Sequence, residues 1–371
     1  MNPKPENLNL KIPTLLLDKR KCLANIHRMK AKSDRHGLIF RPHFKTHQSV
    51  EVGRWFRELG VDKITVSSVT MARYFAGDGW GDITIAFPVN LAEVEDIRAL
   101  AAKCRINVLV ENQEGIDFMK NGSGPTMGVF IKIDTGYHRT GVDADEHETI
   151  LHLVKSIQEV PELSFLGFIV HNGHTYHAAS STEIRKIHRQ SLGKIAGLKI
   201  FMAEHGIGAI YSLGDTPAIS QVDDFTNIDE IRPGNFVFYD VMQENLGACR
   251  FDDIAVALAC PVVAKHASRN EIVVYGGAVH LSKDFIPDQN GQSIYGRVVN
   301  LTNKGWGEPV KNTYVRSLSQ EHGIIKASAD FFNQANIGDF IGILPVHSCL
   351  TVSAMRSMVS LNDDMISTFN V

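Results

Sequence analysis

Hydrophobic and polar positions along this chain fall into two textures. From about residue 38 to residue 239, short runs rich in apolar and β-branched residues alternate with longer stretches whose apolar residues recur close to every 3.6 positions. The short runs predict strands at residues 39–45, 64–68, 83–87, 106–111, 128–134, 165–171, 209–214 and 228–232. Most are near-continuously apolar, the pattern of strands buried on both faces of a parallel sheet. Helices are predicted between them, for example over 91–103 and 182–206. Eight such β–α alternations predict an α/β fold, a TIM (β/α)8 barrel. An open doubly wound sheet is the alternative, weakened because no GxGxxG follows the first strand.

From about Cys249 the texture changes. Runs at 256–264, 271–275, 293–300, 313–318 and 339–344 read as strands separated by Gly, Asn and Asp turns. They predict a mainly β C-terminal domain, and the early run 14–18 is a candidate strand of the same domain. The expected division is a barrel over residues 20–245 and a mainly β domain built from 1–19 plus 246–371.

Composition narrows the function classes. The 371 residues, 44% hydrophobic and 21% charged, supply core for one large domain and a smaller one. A net charge of −3 with no basic block argues against nucleic acid as a partner. No apolar run approaches the roughly 18 residues of a membrane span, and the polar residues 1–7 show no secretory signal. The five cysteines are scattered, with no CxxC and no disulfide pattern. A reducing cytoplasm is the expected location, with each cysteine a core residue or a ligand.

Candidate chemistry sits at the predicted strand ends. The first barrel strand runs into Arg41-Pro42-His43-Phe44-Lys45-Thr46-His47. As a strand it would point Arg41, His43, Lys45 and His47 to one face, which is costly unless they meet partners. Barrel active sites lie at the C-terminal strand ends, so Lys45 is the candidate catalytic group. A solvated edge strand is the alternative reading, and a metal site on His43 and His47 lacks a third ligand nearby. After the fifth strand comes Lys132-Ile133-Asp134-Thr135-Gly136-Tyr137-His138-Arg139, in which Arg139 is either a site cation or an ordinary turn arginine. The sixth strand leads into His171-Asn172-Gly173-His174-Thr175-Tyr176, a density of histidine unusual for a core.

Two loops suit a phosphate. Ser212-Leu213-Gly214-Asp215-Thr216-Pro217 follows the seventh strand, and Arg232-Pro233-Gly234-Asn235 follows the eighth. Barrels commonly bind phosphate there, because small residues let backbone N–H groups reach the anion and hydroxyls add donors. Gly214, Thr216, Gly234 and Asn235 are the candidates. Near the C-terminus, His347 and Cys349 stand two apart and would face one side of an extended strand. Imidazole and thiolate suit zinc, and two ligands suit an open site rather than a closed structural one. A buried cysteine beside a surface histidine is the alternative.

The segment Arg41–His47 resembles the lysine motif of the D-serine dehydratase / D-threonine aldolase family, alanine-racemase-like pyridoxal-phosphate enzymes of fold type III. The other four segments extend the resemblance over nearly the whole chain. It implies a TIM barrel followed by a β domain, with pyridoxal 5'-phosphate held by Lys45 as a Schiff base. It further implies Arg139 at the cofactor's phenolic oxygen, His171 stacked on its ring, Tyr176 close by, and the phosphate in the loops of Gly214, Thr216, Gly234 and Asn235. His347-x-Cys349 matches the metal motif of the D-serine dehydratase branch, whereas D-threonine aldolases often carry His-x-Asp. A homodimer is implied as well. One departure concerns the second domain, where the family often shows Asp-Ala-Gly and this chain has Tyr275-Gly276-Gly277-Ala278. The later Ser319-Gln320-Glu321-His322-Gly323 is family-like.

The expected function is a lyase dependent on pyridoxal phosphate and a divalent metal, acting on 3-hydroxy D-amino acids. D-Serine, giving pyruvate and ammonia, leads. Retro-aldol cleavage of D-threonine or 3-hydroxy-D-aspartate stays open. So do an amino-acid racemase using Lys45 and a second base, and a non-catalytic pyridoxal-phosphate carrier, though such carriers usually resemble the barrel alone.

Overall fold

The computed structural model describes residues 8–120 and 124–369. The chain divides into two compact units. One holds Arg28–Lys45 and Gly53–Gly234; the other holds the residues up to His27, Thr46–Val52 and the chain from Asn235 onward.

Strand β1 (Thr14–Leu17) belongs to the second of these units. The first unit is the barrel. Its strands are β2 (Ile39–Phe40), β3 (Lys63–Val66), β4 (Asp82–Pro88), β5 (Arg105–Val110), β6 (Met127–Asp134) with a short flanking β7 (Val142–Asp143), β8 (Leu163–His171), β9 (Ile210–Gly214) and β10 (Glu230–Ile231). They pair in parallel in the order β2-β10-β9-β8-β6-β5-β4-β3. Past β2, a bridge between His43 and Thr65 joins the two ends of that order. Phe44 N donates to the Thr65 carbonyl at 2.8 Å and Thr65 N to the Pro42 carbonyl at 2.9 Å. The sheet therefore comes round on itself, as the eight alternations predict.

The first strand is much shorter than the predicted 39–45, and its alternating polar face does not form. Pro42 has no ladder donor, and the chain turns from Phe44 to His47 before Gln48 takes a left-handed φ of 52°. Arg41 is buried, His47 is buried within the other unit, and Lys45 is exposed. The predicted helices both form. The 91–103 stretch becomes a 3-10 turn, Leu91–Glu93, and a helix Val94–Ala101. The 182–206 stretch becomes Ser181–Glu204. Ser180 caps that helix by accepting from Glu183 N at 3.2 Å, while the Glu183 carboxylate accepts from Ala179 N at 2.7 Å.

A paired polar network links several of the barrel strands. Arg41 donates to Glu230 at 2.7 Å and to Asp82 at 2.6 Å. Glu230 accepts from Ser212 Oγ at 2.6 Å, which accepts from Arg232 Nε at 2.7 Å. Each buried charge thus meets an opposite charge or a dipole, the condition under which such groups are tolerated.

The second unit is built on an antiparallel-rich sheet. Strand β11 (Val256–His266) pairs with β1, with Phe340–Pro345 and with β12 (Glu271–Tyr275). The β1 pairing sets Leu16 opposite Ala257, so the early run joins this domain as expected. The predicted run 293–300 splits into Ser293–Ile294 and Gly296–Val299. Among the described residues no helix is long and apolar enough to cross a membrane.

Candidate active site

Four cations bear on one imidazole at the C-terminal end of the barrel strands. His171 ends β8, and its Nδ1 lies 2.5 Å from the Gly214 carbonyl. A carbonyl can only accept, so Nδ1 carries the proton and Nε2 the lone pair. Burial, followed by the charges of Lys45, Arg139, Lys132 and Arg232, holds this imidazole well below its ordinary range. His171 is therefore a neutral, flat ring in a strongly positive field. An anionic cofactor answers that field, and a neutral imidazole suits stacking.

The loop that carries Arg139 is held by Asp134. Its carboxylate accepts the backbone N–H groups of Gly136, Tyr137 and His138, each at 2.8 Å. Burial opposes its ionisation, but these bonds outweigh it and keep the carboxyl below its ordinary range. Arg139 itself is exposed, its guanidinium 5.1 Å from the Tyr137 ring centroid. Tyr137 stacks on His174 at 6.0 Å. Thr135 Oγ1 donates to Asn172 Oδ1 at 3.0 Å and so ties this loop to the one after β8. A Cβ on Gly173 would crowd the edge of the Tyr137 ring, so a larger residue there would displace that ring.

The loop after β9 lies beside Tyr176. Tyr176 Oη accepts from Thr216 N at 3.4 Å, and the Tyr176 ring lies 6.4 Å from His171. Thr216 Oγ1 is buried with no partner among the described residues, an orphan donor of the kind a phosphate satisfies. A Cβ on Gly214 would stand 3.0 Å from Arg232 Nη1, so glycine keeps the loop backbone open above that arginine. Burial pushes Arg232 down to about 10. Gly234 follows β10 in the same unit. The Asn235 side-chain amide donates to Asp240 at 2.6 Å and to Ser348 Oγ at 3.2 Å, within the β unit. Its backbone N–H heads the turn Asn235–Val237.

His347 and Cys349 are brought together, though not by an extended strand. The strand ends at Pro345, His347 is the N-cap, and Cys349 lies in the first turn of the helix Ser348–Met355. His347 Nδ1 is 2.9 Å from Asp284 Oδ2. Burial opposes protonation of His347, but hydrogen bonds to Asp284 and Cys349 outweigh it and push the imidazole up to about 11. The imidazole and the thiol thus lie together, with the Asp284 carboxylate behind the ring, and these two donors suit a divalent cation. Carboxylate support of this type fixes ring orientation at many metal-binding histidines. Cys349 is buried, its sulfur 3.1 Å from Thr46 Oγ1 and 3.6 Å from Asn235 Nδ2. Among the described residues no cluster of three or more such side chains could hold a metal ion, so the pair would leave most of a coordination shell open.

Sequence reasoning passed over several residues here. Lys132 is a lysine inside the apolar strand Met127–Asp134, which was a legible signal. It is buried, donates to the Ile133 carbonyl at 2.7 Å, and is pushed down to about 7 by burial and by Arg232. Asp284, Asp240 and Thr46 gave no signal, because the bonds that tie them to His347, Ser348 and Cys349 span distant parts of the chain. Asp215 is buried, and burial pushes its carboxyl up to about 7. The unfolded chain holds that carboxyl near an ordinary value of about 4. Between those values the native state binds more protons, so Asp215 costs stability as pH rises from about 4 to about 7. In cofactor-free protein, the melting temperature of Asp215→Asn relative to the parent is expected to rise across that window. A difference that stays constant with pH would contradict the buried-charge account.

The glycines that depart from the family pattern have a local cause. A Cβ on Gly276 would meet Cys260 Sγ, and one on Gly277 the backbone of Ser319 and Gln320. An alanine at either place has no room in this chain.

Comparison with known proteins follows the same division. Residues 17–241 match the family model described as "Alanine racemase, N-terminal domain", and residues 255–361 match "Putative serine dehydratase domain". D-Serine dehydratase of Dictyostelium discoideum is 29% identical, over 98% of this chain and 97% of its own. D-threo-3-Hydroxyaspartate dehydratase of Delftia sp. (strain HT23) is 28% identical over 96% of each chain. Its solved structure has a TM-score of 0.90 at 24% identity, covering 98% of this chain and 99% of that one, which establishes the fold. A further structure of that dehydratase is a cysteine-to-alanine mutant in the metal-free form. D-Threonine aldolase of Arthrobacter sp. is 24% identical over 95% of this chain and 90% of its own.

Proposed function

The chain belongs to the alanine-racemase-like family, in its D-serine dehydratase / D-threonine aldolase branch, and from that membership we propose a lyase that acts on 3-hydroxy D-amino acids, D-serine first among them. The observation that carries the choice of elimination over carbon–carbon cleavage is the His347–Cys349 pair, steadied by Asp284. When bound, pyridoxal phosphate supplies an electron sink at the substrate's Cα, and a divalent metal such as zinc supplies a Lewis acid for the β-hydroxyl.

The chain's own residues do the rest. Lys45 would hold the cofactor, and its Nζ would take the substrate's Cα proton. Thr216, with the backbone at Gly214, Gly234 and Asn235, binds the phosphate. The neutral His171 offers a flat face, fixed by its bond to the Gly214 carbonyl. Tyr176 steadies the Thr216 loop. Arg139, on the loop held by Asp134, meets the phenolic oxygen. His347 and Cys349 hold the metal, with Asp284 keeping the imidazole in line. A homodimer in a reducing cytoplasm completes the proposal, consistent with the free cysteines of the described residues.

The discriminating experiment offers purified protein D-serine, D-threonine and D-threo-3-hydroxyaspartate separately. Pyruvate with ammonia from D-serine, lost on chelation, is the expected result. Acetaldehyde with glycine from D-threonine would move the assignment to an aldolase. L-Serine formed in the presence of chelator would move it to a racemase, and no turnover of any substrate to a carrier.

A further inference from the structure

Asp240 has no part in the roles described so far, yet it is buried inside the β unit with 1% exposure. A buried carboxylate is costly unless its oxygens are saturated. Here Oδ1 accepts from Gln243 N at 2.9 Å, while Oδ2 accepts from Asn235 Nδ2 at 2.6 Å, Ser348 N at 3.0 Å and Ser348 Oγ at 3.3 Å. The Oδ1 bond caps the short helix Val241–Asn245. A serine or asparagine would cap that helix as well, so capping leaves Oδ2 unexplained.

The Oδ2 partners come from two functional segments. Asn235 follows Gly234 of the second phosphate loop, and Ser348 stands between His347 and Cys349. Asn235 Nδ2 also reaches Cys349 Sγ at 3.6 Å, and that sulfur meets Thr46 Oγ1, which follows Lys45 in the chain, at 3.1 Å. One carboxylate oxygen and one sulfur therefore bind together the segments next to the lysine, the phosphate loop and the metal pair. All of these atoms lie within a single compact unit.

We propose that Asp240 is a positioning residue that couples the phosphate grip to the metal pair, so that cofactor and metal each bind more tightly when the other is present. This rests on the reading of His347 and Cys349 as metal ligands and of Asn235 as a phosphate-loop residue. A metal on Cys349 fixes the turn at Ser348, which fixes the Ser348 donors on Asp240 Oδ2. Asp240 then holds the Asn235 amide and, with it, the backbone that meets the phosphate. Linkage makes the effect reciprocal, and couplings of this type amount to about 5- to 150-fold.

The test begins with metal content of the purified holoprotein. Pyridoxal-phosphate affinity is then titrated by visible absorbance before and after chelation, in the parent and in Asp240→Asn. Zinc affinity is measured by chelator competition with and without the cofactor. Chelation is expected to weaken cofactor binding in the parent by about tenfold, removal of the cofactor to weaken zinc binding by the same factor, and Asp240→Asn to lose most of both effects. A parent that binds one metal per chain but whose cofactor affinity ignores chelation overturns the coupling and leaves the metal reading standing. A parent with no bound metal overturns both. The two parent titrations decide the matter even if Asp240→Asn does not fold. If it folds and keeps the full coupling, Asp240 is not the link.

Discussion

Lys45→Ala is expected to abolish the visible absorbance of the lysine-linked cofactor, near about 420 nm, and to lower turnover by on the order of 10⁴-fold. The fold should not notice. Lys45 is exposed in the turn that follows β2, and substitutions at such positions usually change stability by no more than about 0.5 kcal/mol. An unchanged melting curve with a lost band would therefore locate the effect in chemistry. The rival amine is Lys132, which also acts on His171 and which burial pushes down to about 7. A lysine titrating there is a better nucleophile at neutral pH than an ordinary one. Geometry decides against it, because Lys132 Nζ is buried and donates to the Ile133 carbonyl at 2.7 Å. Lys132→Met should thus keep the band that Lys45→Ala loses. The reverse pattern would transfer the cofactor to Lys132.

The barrel was legible because each of its strands carries its own signal. Runs such as Phe165 to Val170 are apolar without interruption, and only burial on both faces makes that economical. Loop positions after the last strands followed from the strand count, so Gly214, Thr216 and Gly234 could be named before any contact was known. The turn at Phe44–His47 was misread as strand because alternation of polar residues resembles a pleat, while the deciding features were Pro42 and the left-handed Gln48. The His347–Cys349 pair was found by its spacing but assigned to the wrong element. Two residues apart in a strand, or an N-cap followed by the first turn of a helix, both bring side chains together. Asp284, Asp240 and Thr46 stayed invisible for a different reason. The bonds that tie them to His347, Ser348 and Cys349 span 63, 108 and 303 residues of chain, and no local pattern encodes such a meeting. Sequence thus showed the candidate ligands and the candidate lysine, and hid the residues that surround them.

That orienting layer makes the metal pair testable in graded steps. His347→Ala removes a ligand outright, and is expected to strip the metal and lower lyase turnover by on the order of 10³-fold while the band near about 420 nm persists. Asp284→Asn removes only the carboxylate behind the ligand, and should weaken metal binding by about 10- to 100-fold. Excess zinc should then restore turnover in Asp284→Asn, whereas His347→Ala stays inactive at any zinc concentration. The gradation matters because a purely structural histidine makes a different forecast. If His347 served only as a cation paired with Asp284, a surface-type pair at 32% and 36% side-chain exposure, both substitutions would cost about 1 kcal/mol of stability or less and leave turnover intact. Full activity in His347→Ala, measured with metal content and absorbance on the same sample, would therefore remove the metal from the mechanism and reopen the racemase reading.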